Sequence, residues 1–294
     1  MPHALNGCRL KLERAIRHVE VLNLAIQGLR EPGTDKLIRS FDLQTDEFVW
    51  SVDEPDPPAT WATLMGDILH NFHSTLDHLA WQLAIRKNYG HDLPPETRIT
   101  FPIFKNRGRF WRKRSDNGKW TGLSGANTLL RFPGNARKHV LAVQPYKDGT
   151  ASPQHPLWLL HALSNEDKHK TLHVVGSAIV DSELQVLEPL QDLQVDHFTP
   201  TEGRLRGLTE IGRLKLTETG PNPKGKLQPG FALAEAFGDR VPGAAGRYIG
   251  EVVNEIASYV IDTVFRAHFA PYFKVDDWSD WLVTPGDPRN ERSL

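Results

Sequence analysis

Three histidines and two aspartates crowd the stretch Asp67 to His78, and such a density of proton-carrying side chains is what general acid/base chemistry requires. At about 100° per residue on a helix, Gly66, His70, His73 and Asp77 share one flank. Asp67, Asn71, Ser74 and His78 share the opposite one. A solvated helix face is ordinarily built from Glu, Lys and Arg, which propagate a helix better than His or Asp. Gly66 inside the helix costs about 1 kcal/mol relative to Ala, which points to the close approach of another element. A second constellation lies in Asn165-Glu166-Asp167-Lys168-His169-Lys170, where Trp158, His161, Asn165 and Lys168 form one helical stripe with His169 beside it. If that stripe faces the long helix, the two line a polar cleft. In it His78 is the expected proton-transfer residue, with His73, Asp77 and His169 as further catalytic candidates. Asn71, His70, His161, Asn165 and Lys168 are the expected binding and positioning groups.

A third group is a basic loop. Lys105, Arg107, Arg109, Arg112, Lys113, Arg114 and Lys119 are interleaved with Phe104, Phe110, Trp111 and Trp120. Cations for phosphates and aromatic faces for bases are the requirements of single-stranded nucleic-acid binding, so RNA is the expected partner. Arg107, Arg109, Arg112, Lys113, Arg114 and Trp111 are its candidate contacts. Residues 40 to 59 carry Asp42, Asp46, Glu47, Asp53, Glu54 and Asp56 with no Lys or Arg, and pairing between this stretch and the loop is the competing explanation.

Two alternatives stand beside the RNA reading. One is a noncatalytic helical bundle whose His, Asp and Asn side chains form a buried polar network. The other is a metal-dependent hydrolase on the His/Asp cluster. Two of the usual ligand signatures, His-Glu-x-x-His and paired Cys, are absent, and no metal or other cofactor is expected.

The block from Gly66 to Leu83, together with Phe101-Pro102-Ile103, Gln144-Pro145-Tyr146 and Asn165 to Lys170, resembles a bacterial protein family of about this length. Its blocks read G-D-x-L-H-N-L-R-S-A-L-D-H-L-A-W and N-x-D-K-H-R. The long-helix block is also similar to the Arg-x4-His arrangement of the HEPN superfamily. That resemblance implies a helical bundle, dimerisation, and metal-independent RNA cleavage in toxin, antiviral or stress systems, with His moving protons and Arg stabilising phosphate charge. His78 stands at the His position and His73 at the Arg position, so the cation there exists only when an imidazole is protonated.

The elements that must hold these groups follow from apolar spacing. Leu12, Ile16, Val19, Leu22, Ile26 and Leu29 mark a helix near 9–30, stopped by Pro32-Gly33. Trp61, Met65, Ile68, Phe72, Leu76, Leu79 and Leu83 mark a long one near 58–88, opened by Pro57-Pro58. Further helices are expected near 156–168 and 246–270, with short ones at Asn127 to Arg131 and Asn135 to Val143. Ile38 to Val52 alternate around Gln44-Thr45-Asp46 as a hairpin, and four strand-like runs fall between 171 and 237. The expectation is an α+β fold, one domain over 1–283, made of a helical bundle with an inserted antiparallel sheet at about 171–237. Residues 284–294 read as a flexible tail.

Composition narrows the classes. The 294 residues carry 35 Lys+Arg against 36 Asp+Glu, which excludes a uniformly basic protein that coats duplex nucleic acid but leaves room for a local basic site. One cysteine, Cys8, excludes an internal disulfide framework and reads as a small buried hydrophobe. Charges interrupt every apolar run, so no membrane span and a cytoplasmic location are expected.

Overall fold

The computed structural model describes residues 4–29, 36–54, 57–91, 93–94, 97–111, 124–169, 174–201, 207–238 and 240–275. Helix α1 (Asn6–Leu29) and the long α2 (Ala59–Lys87) lie side by side. The 29 residues of α2 span about 44 Å and bury Trp61, Met65, Ile68, Phe72, Leu76, Leu79 and Leu83, the stripe anticipated from spacing. Cys8, on the buried face of α1, belongs to the same core, and burial pushes its thiol up to about 12, so it behaves as a small apolar side chain. Short helices α3 (Arg107–Phe110), α4 (Gly125–Leu130) and α5 (Gly134–Ala142) lead through a 3-10 stretch (Pro145–Gln154) into α6 (Pro156–His169), which packs on α2. Helix α7 (Ile249–Ser258) packs on α6 and continues as a π-helix over Tyr259–Phe269 before α8 (Ala270–Phe273).

The β structure is wider than the insertion expected at 171–237. Strands β1 (Lys36–Asp42) and β2 (Glu47–Glu54) form the anticipated hairpin, and β2 pairs antiparallel with β5 (Gly207–Glu218). With β4 (Leu193–Pro200) on the far side of β5, the four-stranded order is β1-β2-β5-β4. Strands β3 (Val174–Gln191) and β6 (Lys224–Phe237) form a separate antiparallel ribbon. Trp50, Val52, Ile211 and Leu214 are the sheet's own small core, and Leu184 and Leu227 of the ribbon pack against it. Strand β6 ends by carrying Phe237 into the bundle core, where its N–H donates to Arg247 O.

Two carboxylates of the acidic stretch at 40–59, Asp42 and Glu47, have partners within the sheet. Arg213 of β5 bonds Asp42 and Glu47, and His197 of β4 bonds Glu47, so these charges tie the sheet together. Both carboxyls are held below their ordinary range, Asp42 by the Gln44 N–H and then Arg213, Glu47 by the Thr45 hydroxyl and then His197 and Arg213. Arg112, Lys113, Arg114, Lys119 and Trp120 lie outside the described residues, as does the tail 284–294. No helix among the described residues is long and apolar enough to cross a membrane.

Candidate functional site

The two flanks of α2 face different neighbours. Gly66, His73 and Asp77 face α6 and the segment that follows α2, whereas His78 lies against α1. There the Nδ1 of His78 is 3.0 Å from where a Cβ on Gly7 would stand. His78 is otherwise exposed, and burial against α1, then the Lys11 charge, lower its pKa. Asn71 is buried and turned onto its own helix, donating to Asp67 O at 2.7 Å while its carbonyl accepts from the Thr75 hydroxyl. The structure therefore does not bring His78 or Asn71 into one cleft with α6. A single helix cannot aim opposite flanks at one partner.

The other flank does meet α6. The His73 ring stacks on His161 at 6.0 Å, and Trp158 lies 5.4 Å beyond. Asn165 donates its amide to His161 Nε2 at 3.0 Å, one helical turn along. Burial, with His73 and Lys168 as lesser causes, lowers His161 to about 4, so the ring is neutral at pH 7. His73 Nδ1 stands 3.4 Å from Asp77 Oδ2, within ion-pair range. The other oxygen, Asp77 Oδ1, accepts the Phe101 N–H at 2.9 Å. Asp77 thus orients His73 and pins the chain that leaves α2.

The described members of the second sequence block occupy distinct places. Asn165 holds His161, Glu166 stands 3.8 Å from Arg240, and Asp167 covers the bare Cα of Gly66. Burial and the nearby Asp67 raise the Asp167 pKa. Lys168 and His70 are exposed near the same end. His169 closes α6, and its side chain lies outside the described part of the structure.

The segment Thr100–Asn106 has no regular secondary structure, yet it is pinned at four places. Besides Asp77 on Phe101 N, Gln144 Nε2 donates to Pro102 O at 2.7 Å and also to Val140 O. Tyr146 N donates to Phe104 O at 3.1 Å, and the Ser152 hydroxyl donates to Lys105 O at 3.3 Å. The Phe-Pro-Ile and Gln-Pro-Tyr blocks noted in the sequence therefore hold each other. The Asn106 side chain then caps α3 by accepting Arg109 N, and Phe110 drops its ring onto Gly125.

This segment is one wall of a pocket of about 500 Å³, within the usual range for small ligands. Phe104, Lys105, Asn106 and Arg109 line it together with Ser124, the cap of α4, Thr128 of α4, and Trp158 and His161 of α6. Lys105 Nζ lies over the Trp158 ring at 4.6 Å, and no Asp or Glu lines the pocket among the described residues. Arg107 and Trp111 stand just outside. Trp111 packs edge-on against Phe110 and bonds the Tyr146 hydroxyl, which places it in the wall's support rather than in the pocket. Sequence reasoning counted Lys105 in the basic loop and Trp158 in the α6 stripe without giving either a site role. Their chemistry was visible, but their meeting depends on how residues 100–106 are pinned.

Among the described residues no three His, Cys, Asp or Glu side chains converge to hold a metal ion, so the hydrolase alternative finds no ligand set there. Fold and site together define an α+β protein with a basic, aromatic-walled pocket beside an Asp–His pair. No family model matches the chain, and no curated protein and no solved structure matches it.

Proposed function

We propose that the pocket holds one unpaired nucleotide of a single-stranded RNA, with a phosphate between Lys105 and Arg109 and a base on the Trp158 face. The observation that carries this reading is the meeting of Lys105, Arg109 and an indole face in one pocket that no carboxylate lines among the described residues. Base stacking on an aromatic ring is worth about 1–3 kcal/mol, enough to exchange Lys105 from the ring to the phosphate. A cytoplasmic protein of the HEPN type, working as a homodimer in bacterial defence or stress, is the setting that goes with this reading. Photo-crosslinking with 4-thiouridine RNA tests it: crosslinks are expected in 100–109 and 156–169, and crosslinks confined to the sheet would refute it.

The His73–Asp77 pair favours a second step, RNA cleavage. His73 Nε2 takes the proton of a ribose 2′-hydroxyl, and that oxygen attacks the adjacent phosphorus. The P–O5′ bond breaks, leaving a 2′,3′-cyclic phosphate, and the departing 5′-oxygen takes a proton from water, the resulting hydroxide being neutralised by the proton that His73 releases. Asp77 supports the imidazolium formed on His73, as an orienting carboxylate does.

A further inference from the structure

Two histidines of the same region are held by partners of different kinds. His155, buried at the start of α6, accepts the Leu157 N–H on Nδ1 at 3.1 Å and faces the Tyr259 hydroxyl with Nε2. A backbone N–H cannot turn around, so His155 is fixed as neutral imidazole: a proton on Nδ1 would point at another proton. His161 has no such restriction. Its Nε2 meets the side-chain amide of Asn165, which carries a donor on one arm and an acceptor on the other. A half-turn of that amide replaces Nδ2 by Oδ1 and converts a partner for neutral His161 into a partner for its imidazolium.

The surroundings of His161 decide which form prevails. From α2 it faces His73 and Asp77, from its own helix Lys168, and across the pocket Lys105 and Arg109. Burial first, then His73 and Lys168, favour the neutral ring. A phosphodiester entering between Lys105 and Arg109 brings a negative charge to the same wall and reverses that balance.

We infer that His161 is the specificity-determining residue of the pocket: it takes a proton from solvent when an anionic ligand enters, and Asn165 turns its amide to accept that proton. The inference rests on the RNA reading above. The pocket is then basic toward anions and only moderately charged when empty, and neutral ligands gain nothing from His161. Since the bound form holds the proton more tightly than the free form, affinity rises as pH falls, by at most about tenfold per pH unit for one proton.

The probe is a short 2′-O-methyl oligouridylate with hydroxyl ends, which lacks the attacking 2′-hydroxyl and whose bases and diesters do not titrate between about pH 8 and about pH 5. Calorimetric binding in two buffers of different ionisation enthalpy reads the proton uptake directly. Wild type is expected to take up close to one proton at the acid end and to bind roughly three- to tenfold more tightly per pH unit there. His161→Gln is expected to bind with that uptake missing. Imidazole nitrogen spectra of wild type, free and bound, give a second readout that needs no variant, with His161 Nε2 becoming protonated only in the complex. Binding without proton uptake, or equal uptake by wild type and His161→Gln, overturns the inference and leaves the RNA reading intact. Absence of oligouridylate binding at every pH overturns both.

Discussion

The carboxylate of Asp167 lies against the bare Cα of Gly66, where a Cβ would stand 2.7 Å from Asp167 Oδ2. Two effects of Gly66→Ala therefore oppose each other. Ala gains about 1 kcal/mol of helix propensity, while displacing a half-buried carboxylate from its place beside Asp67 and His70 costs about 1–3 kcal/mol. Gly66→Ala is expected to destabilise by roughly 1 kcal/mol in urea unfolding. In an Asp167→Ala background the same change is expected to stabilise by a similar amount. An unchanged sign in the two backgrounds would show that the close approach is not what keeps residue 66 a glycine.

Acid is expected to unfold the bundle before its carboxylates titrate. His78, His139, His155, His161 and His268 are all lowered, with burial the largest cause, and His161 reaches about 4. The sign is that of a base held neutral by folding: the unfolded chain binds more protons below about pH 6.5, so stability is complete above that value and is lost as pH falls toward 4. Urea midpoints at descending pH should fall through this window, and His161→Gln should flatten the slope. A flat profile down to pH 4 would contradict the neutral-imidazole account.

Gln144 is 1 % exposed and holds the pocket wall through Pro102 O. Gln144→Leu strips a buried carbonyl of its donor and is expected to cost about 1–3 kcal/mol. Because the wall carries Lys105 and Arg109, the variant should also bind RNA several-fold more weakly at temperatures where it is fully folded. Stability loss without any change in affinity would show that the wall keeps its shape unaided.

How much of this was legible in the sequence depends on the range of the interactions involved. Helices α1, α2 and α6 declared themselves through apolar spacing, and the same spacing correctly grouped His73 with Asp77 and Trp158 with His161. The wheel also put His78 on the opposite flank, and the structure respects that division by giving His78 to α1. Hidden were the features set by distant pairing. Strand β2 meets β5 far along the chain, residues 100–106 are shaped by Asp77, Gln144 and Ser152 rather than by periodicity, and the π-turns of Tyr259–Phe269 keep an apolar spacing that reads as an ordinary helix.

If RNA is cleaved, the proton carrier is on the α6 side of α2. His73→Ala should lower the cleavage rate by about 10²–10⁴-fold, and Asp77→Asn by less, since it leaves the ring in place. His78→Ala should leave the rate nearly unchanged, and EDTA should have no effect. A gel assay on single-stranded RNA with these variants decides the matter, and loss of activity in His78→Ala alone would move the site to the α1 side.

Binding of single-stranded RNA by the pocket between residues 100–109 and α6 is proposed to run through Lys105, Arg109 and Trp158. Its most direct test is equilibrium binding of a fluorescent oligouridylate at low salt to wild type, Arg109→Glu and Trp158→Ala, each checked for native unfolding. The account predicts a loss of at least about tenfold in affinity for each variant, as expected for one lost phosphate or stacking contact. Wild-type affinity in both variants, or no binding by wild type, would contradict it.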